Sequence, residues 1–145
     1  MKNALVIILF AIAVSAIAFG SVGGRQIASD PPEQVSFPTQ DGGLIYANLY
    51  GKGDRGVVLA HGGRFTKESW EKQAQVLVKA GFRALAIDFR GRGQSRGGVR
   101  TNPNDGGERF DVLAAGRYLR QNGAKTVSGV GGSFGGWGGG EATGR

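Results

Sequence analysis

From Gln34 onward the apolar positions first alternate, then run on, then recur at helical spacing. Gln34–Thr39 and Leu44–Tyr50 alternate in character on either side of Asp41-Gly42-Gly43, the period of two expected of strands joined by a turn, so an antiparallel hairpin is predicted. Gly56-Val57-Val58-Leu59-Ala60 is a continuous apolar run, as expected of a strand covered on both faces. Thr66 is then a candidate cap for a helix whose stripe is Trp70, Ala74, Leu77 and Val78, ended by Gly81. Arg83-Ala84-Leu85-Ala86-Ile87 predicts a second buried strand, and a polar, arginine-rich loop follows to about Asp105. Phe110, Leu113, Ala114 and Tyr118 predict a second amphipathic helix closing near Gly123, and Thr126–Val130 a third buried strand running into a glycine-rich turn. Strands alternating with helices across short turns predict right-handed βαβ units and a mostly parallel sheet flanked by helices, an α/β fold. The loops beginning at His61, Asp88 and Gly131 lie at the carboxyl ends of its strands, where such sheets bind ligands.

Before Gln34 the pattern is of another kind. Lys2 is followed by an uncharged apolar run from Ala4 to Phe19, then by small residues, a secretory signal pattern. Ala16-Ile17-Ala18 offers an A-x-A-like cleavage site. The run is long for the core of a signal and only slightly short of a membrane span of about 17 to 25 residues, so residues 1–20 read as a signal peptide or an uncleaved membrane anchor, an N-terminal apolar helix. A buried core helix is the third reading. On the first two, the rest of the chain lies outside the cytoplasm, periplasmic or extracellular, or anchored facing out. Residues 21–33, with Pro31-Pro32, read as a linker, leaving 34–145 as the folded domain.

Composition narrows the chemistry. The 145 residues contain no cysteine, which excludes disulfides, thiolate metal sites and a cysteine nucleophile. The net charge of +7 favours contact with anionic surfaces or substrates. No basic helix, zinc spacing or interleaved aromatic motif accompanies that charge, and no nucleic-acid partner is expected. Glycine, at 28 residues, stands far above its usual share of about 7%.

That glycine content makes a G-x-S-x-G match cheap, and there are two: Gly93-Gln94-Ser95-Arg96-Gly97 and Gly131-Gly132-Ser133-Phe134-Gly135. Context separates them. A nucleophile elbow needs a strand running in and a helix running out, so that the serine stands on a tight turn above the sheet with helix amides nearby. Ser133 follows a predicted strand. Ser95 follows a polar loop and precedes Gly-Gly-Val-Arg-Thr-Asn-Pro-Asn, which cannot start a helix promptly, so Ser133 is the candidate nucleophile.

Three stretches now stand in order: VVLAHGG at 57–63, AIDFRGRGQSRG at 86–97 and VSGVGGSFGG at 127–136. Together they resemble the N-terminal half of an α/β-hydrolase of the esterase, lipase and dienelactone-hydrolase-like kind, over roughly residues 34–143. The resemblance implies that Ser133 attacks an acyl carbonyl of a small-molecule substrate, with the oxyanion held by the backbone N–H groups of Phe134 and Gly63. It implies a structural role for His61, the only histidine, rather than that of general base, and bracing roles for Asp88 and Ser95. No metal or organic cofactor is implied. Arg90, Arg92, Arg96 and Arg100 crowd one loop; a solvated face is the plain reading, and Arg92 and Arg96 are candidate contacts to an anionic substrate. Trp70 and Trp137 read as packing residues.

In the family the triad runs Ser, then Asp or Glu, then His, and only twelve residues follow Ser133, none a histidine. The expectation is therefore an incomplete hydrolase domain, truncated after the elbow, with the fifth strand a bare edge and turnover of carboxylic esters weak or absent. The alternative is a non-catalytic, membrane-anchored binding module with a remnant pocket. A second polypeptide supplying the missing half is a further reading.

Overall fold

The computed structural model describes residues 30–99 and 106–132. The apolar run at 4–19, Arg100 and the positions Ser133, Phe134 and Trp137 fall outside them.

Five strands form one sheet: β1 (Glu33–Pro38), β2 (Leu44–Tyr50), β3 (Arg55–Ala60), β4 (Phe82–Ile87) and β5 (Thr126–Gly131). Their order is β1-β2-β4-β3-β5. The predicted hairpin is present as the antiparallel β1–β2 pair, β2 also runs antiparallel to β4, and β3 is parallel to both β4 and β5. The sheet is thus mixed, its parallel part centred on β3. A 3-10 turn (Lys67–Trp70) and helix α1 (Glu71–Lys79) join β3 to β4; helix α2 (Glu108–Gln121) lies between β4 and β5. Those two crossovers step in opposite directions along the sheet, and right-handed crossovers of opposite direction put their helices on opposite faces.

The side chains follow suit. Val57, Leu59, Ala84 and Ala86 pack with Ala74 of α1 and with Trp70, Leu77 and Val78. Val58, Ala60, Leu85 and Ile87, the alternate positions, pack with Val112, Ala115 and Leu119 of α2. The period of two along β3 and β4 therefore serves two cores, which is why both strands read as unbroken apolar runs. Gly81 closes α1 at φ +82°, a left-handed stop that a side chain would strain.

Two expectations need correction. Leu113 is exposed, not part of the buried stripe of α2; Ala114 is buried as expected, Tyr118 packs half-buried on the core, and Asp111, Val112, Ala115 and Leu119 complete the inner face. Strand β5 is not covered on both faces. β3 is its one neighbour among the described residues, and all its side chains except the half-buried Val127 are exposed. Among the described residues it is an open edge of the sheet.

Candidate active site

The parallel strands end together, and three loops meet beyond them. The first leaves β3 at His61-Gly62-Gly63. His61 is 1% exposed, and both ring nitrogens are engaged: Nδ1 lies 2.8 Å from the Gly62 carbonyl oxygen and Nε2 takes the Phe89 N–H at 3.1 Å. A ring whose Nε2 accepts a hydrogen bond carries its proton on Nδ1. With both nitrogens occupied and the ring sealed against the Phe89 edge, His61 has no free nitrogen to offer a serine. Its role is structural, as the resemblance implied.

The second loop leaves β4 at Asp88. This carboxylate is fully buried and accepts the Lys67 backbone N–H and the Lys67 ammonium, each at 2.8 Å. Burial acts to lower the Lys67 pKa, but the hydrogen bonds the ammonium donates to Asp88 and Glu68 outweigh it and hold it above its ordinary value. Asp88 thus braces the loop after β3 against the loop after β4. Gly93 turns at φ +50° with its missing Cβ position 2.3 Å from the Asp88 carboxylate, so glycine is required there on both counts.

Ser95 lies in the same loop and is also buried. Its Oγ accepts the Tyr46 N–H at 2.9 Å, while Arg96 and Leu44 exchange backbone hydrogen bonds of 2.9 Å. The G-x-S-x-G around Ser95 is therefore a splice between this loop and β2. Among the described residues no strand runs directly into it and no helix leaves it, so it lacks the strand-turn-helix setting of a nucleophile elbow.

The arginines of this loop part company. Arg90 is 6% exposed and belongs to no solvated face. Its Nε and Nη2 reach Asp111 Oδ1 at 3.0 and 2.7 Å, its Nη1 and Nη2 reach the Asp41 carboxylate at 2.7 and 3.1 Å, and its backbone N–H donates to Asp111 Oδ2 at 3.0 Å. One guanidinium thus ties the β1–β2 turn, the end of β4 and the first turn of α2. The Arg90 hydrogen bond, reinforced by Thr39, holds the Asp41 carboxyl at about 2, whereas burial pushes the Asp111 carboxyl upward against the pull of Arg90. Arg92 is exposed and donates from Nη2 to the Gly63 carbonyl oxygen. Arg96 is exposed on the Leu44 bridge. Arg92, not Arg96, lines a cavity of 230 Å³ with His61, Gly63, Phe89, Arg90 and Glu108.

The third loop leaves β5 after Gly131. The Gly132 N–H donates to the Ala60 carbonyl at 3.2 Å, and its Cβ position would lie 4.0 Å from the Gly62 amide nitrogen. Gly132, the residue before Ser133 in sequence, therefore lies beside the His61-Gly62-Gly63 turn. Gly63 is exposed, with nothing within 4 Å of where a Cβ would be. A cavity of 370 Å³ opens here, lined by His61, Gly62, Phe65, Ser69, Trp70, Gln73 and Gly132. Trp70 both packs on the α1 core and walls this cavity. Among the described residues no cluster of His, Cys, Asp and Glu could hold a metal ion, and no helix is long and apolar enough to cross a membrane.

A sheet wound in both directions from a central parallel strand, with a glycine-lined turn after that strand and a G-x-S-x-G after its neighbour, defines the hydrolase class of α/β folds. The chain belongs to the alpha/beta hydrolase family, whose model matches residues 57–143. It is similar to the non-heme chloroperoxidase CPO-A1 of Kitasatospora aureofaciens, 40% identical over 57 residues, 39% of this chain and 20% of that protein. A putative non-heme chloroperoxidase of Synechocystis sp. is 39% identical over 71 residues, 49% of this chain and 23% of that one. Among solved structures, an epoxide hydrolase from an endophytic Streptomyces superposes with a TM-score of 0.66 at 29% identity, covering 78% of this chain and 33% of its own. The esterase Pf2001 of Pyrococcus furiosus does so with a TM-score of 0.62 at 25% identity, over 72% and 43%. The chain thus spans about a fifth of the length of the chloroperoxidases it matches, and less than half of these structures.

Proposed function

We propose that this chain carries the nucleophile and oxyanion side of a serine hydrolase acting on carboxylic esters or similar acyl bonds. The carrying observation is the placement of Gly132, bonded to the end of β3 and set against the turn that exposes Gly63, beside the 370 Å³ cavity. In this reading the Ser133 hydroxyl attacks the substrate carbonyl carbon, and the developing oxyanion accepts hydrogen bonds from the Gly63 and Phe134 N–H groups. Amides fixed before reaction stabilise charge that appears only in the transition state, each worth about 3 to 4 kcal/mol. The serine proton passes to a base and on to the leaving alkoxide, and water then releases the acid from the acyl-serine.

His61 cannot be that base, so slow turnover is expected of the 145-residue chain, with about 10³- to 10⁴-fold acceleration over water remaining from binding and the oxyanion hole. The apolar walls at the exposed Phe65 and the half-buried Trp70 suit an uncharged acyl chain. The apolar run Ala4–Phe19 supports export across a membrane, which a reporter active only outside the cytoplasm, fused after residue 33, would test.

A fluorophosphonate probe tests the chemistry. The serine oxygen bonds to phosphorus as fluoride leaves with the serine proton. Labelling that persists in Ser95→Ala and vanishes in Ser133→Ala is the expected outcome. The engaged state of His61 favours a second reading, a non-catalytic binding module using the same pocket; a folded, unlabelled wild type would establish it over the first.

A further inference from the structure

The turn that presents Gly63 has little of its own to hold it. Glycine has the widest backbone freedom of any residue, Gly62 and Gly63 stand side by side, and nothing lies within 4 Å of a Cβ position at 63. Packing cannot fix this segment, so its carbonyls must. The Gly62 carbonyl accepts from His61 Nδ1 at 2.8 Å and from the Phe65 N–H at 3.0 Å. A trans, planar peptide directs the N–H opposite its carbonyl, so pinning the Gly62 oxygen inward turns the Gly63 N–H outward. The next peptide is pinned separately, by the Arg92 guanidinium on the Gly63 carbonyl. Arg92 comes from the other loop, whose base is locked by Asp88, Arg90 and the Ser95 splice.

We propose that Arg92 is a positioning residue for the oxyanion donor: its guanidinium, reaching from the loop after β4, clamps the Gly63 carbonyl, so that the peptide on each side of Gly63 is held and rotation about this glycine cannot carry its N–H off the aim set by the Gly62 carbonyl. This rests on the serine hydrolase reading for its catalytic meaning, while the clamp itself is a structural matter. It assigns Arg92 an intramolecular task in place of the anionic substrate expected from its charge. Arginine suits that task because its long side chain, which also lines the 230 Å³ cavity, carries a planar fork of five donors, one of which reaches the Gly63 carbonyl.

The test uses the whole 145-residue chain with wild type, Arg92→Ala and Arg92→Lys, and Ser133→Ala as the blank. Two quantities are read: the second-order rate of fluorophosphonate labelling and the 13C resonance of the Gly63 carbonyl. Arg92→Ala should lower the labelling rate about tenfold, since a small misplacement of a catalytic donor costs on that order or more. Arg92→Lys should recover part of the loss. The Gly63 carbonyl should shift upfield in Arg92→Ala, while the Phe89 amide, held by His61, stays in place. A Gly63 resonance that does not move refutes the contact. A resonance that moves with rates equal within twofold refutes the positioning role. An unlabelled wild type refutes the hydrolase reading and the role with it, and the carbonyl shift then shows separately whether the clamp exists.

Discussion

Replacing Arg90 by alanine should cost this domain more than any other single change outside its apolar core. The substitution leaves the backbone N–H on Asp111 Oδ2 but deletes the Nε and Nη2 bonds to Asp111 and the Nη1 and Nη2 bonds to Asp41. Asp111 is 0% exposed, so its carboxylate cannot recover those partners from water. Removing one member of a buried ion pair costs about 3 to 5 kcal/mol, chiefly through the charge left behind. Total stability for a domain is about 5 to 15 kcal/mol, so Arg90→Ala should be largely unfolded or close to it. Urea denaturation followed by far-ultraviolet circular dichroism measures the loss. Arg90→Lys should fall between, because one ammonium cannot serve two carboxylates in a forked geometry. The double change Arg90→Met with Asp111→Leu should recover much of the loss of Arg90→Ala, since removing both charges removes the desolvation cost. A cost below about 1 kcal/mol for Arg90→Ala, the size of an exposed pair, would refute the buried hub.

Asp41 gives a pH dependence of definite sign. Its pKa in the folded state, about 2, lies below the ordinary 3.8, so the unfolded chain binds more protons between these values and stability falls as pH drops through them. Asp111, raised by burial, titrates on the other side of 3.8 with opposite sign, so Asp41→Asn should flatten the acid limb between about pH 4 and 2 in acid unfolding curves. Ser95→Ala, leaving the Tyr46 N–H unpaired, should cost about 1 to 3 kcal/mol and leave phosphonate labelling intact; lost labelling with retained fold would contradict the choice of serine. Gly93→Ala should cost at least as much, from the left-handed strain and the Asp88 clash together, read as a lowered thermal midpoint. At the open edge, Val130→Lys should raise the monomeric fraction in light scattering, because a charge on an exposed strand opposes edge-to-edge pairing; unchanged association would show that β5 is not the sticky edge.

Strand identity was legible where apolar runs are contiguous and local. The runs at 56–60 and 83–87 read as buried strands because both faces of β3 and β4 meet helices. The run at 126–130 looks the same and is exposed, since burial of β5 depends on a neighbour that no local pattern can supply. Helix α2 is located correctly and most of its expected stripe faces inward: Ala114 is buried and the half-buried Tyr118 packs on the core, while Leu113 alone is exposed. Phe110, Val112, Leu113, Ala114, Ala115, Tyr118 and Leu119 surround much of its circumference, so more than one helical stripe fits. The face is chosen instead by Asp111, which goes inward to meet Arg90. That pairing spans 21 residues, and the Arg90–Asp41 pairing spans 49. Charge spacing along the chain carries no trace of either, and Arg90 therefore read as one of several loop arginines. Ser95 is set aside from its context, but what holds it in the fold, a hydrogen bond from the Tyr46 N–H across 49 residues, is equally non-local. The glycines at 62 and 63 were legible as an open edge. Which carbonyls hold them, and that Arg92 is among the holders, needed the fold.

The central claim is that Ser133 stands where the Gly63 N–H can meet charge developing on its acyl partner. The most direct measurement is a crystal structure of the phosphonylated chain. The claim predicts the adduct on Ser133, with a phosphoryl oxygen about 2.7 to 3.1 Å from the Gly63 nitrogen. An adduct on another residue, or a phosphoryl oxygen turned away from Gly63, would contradict it.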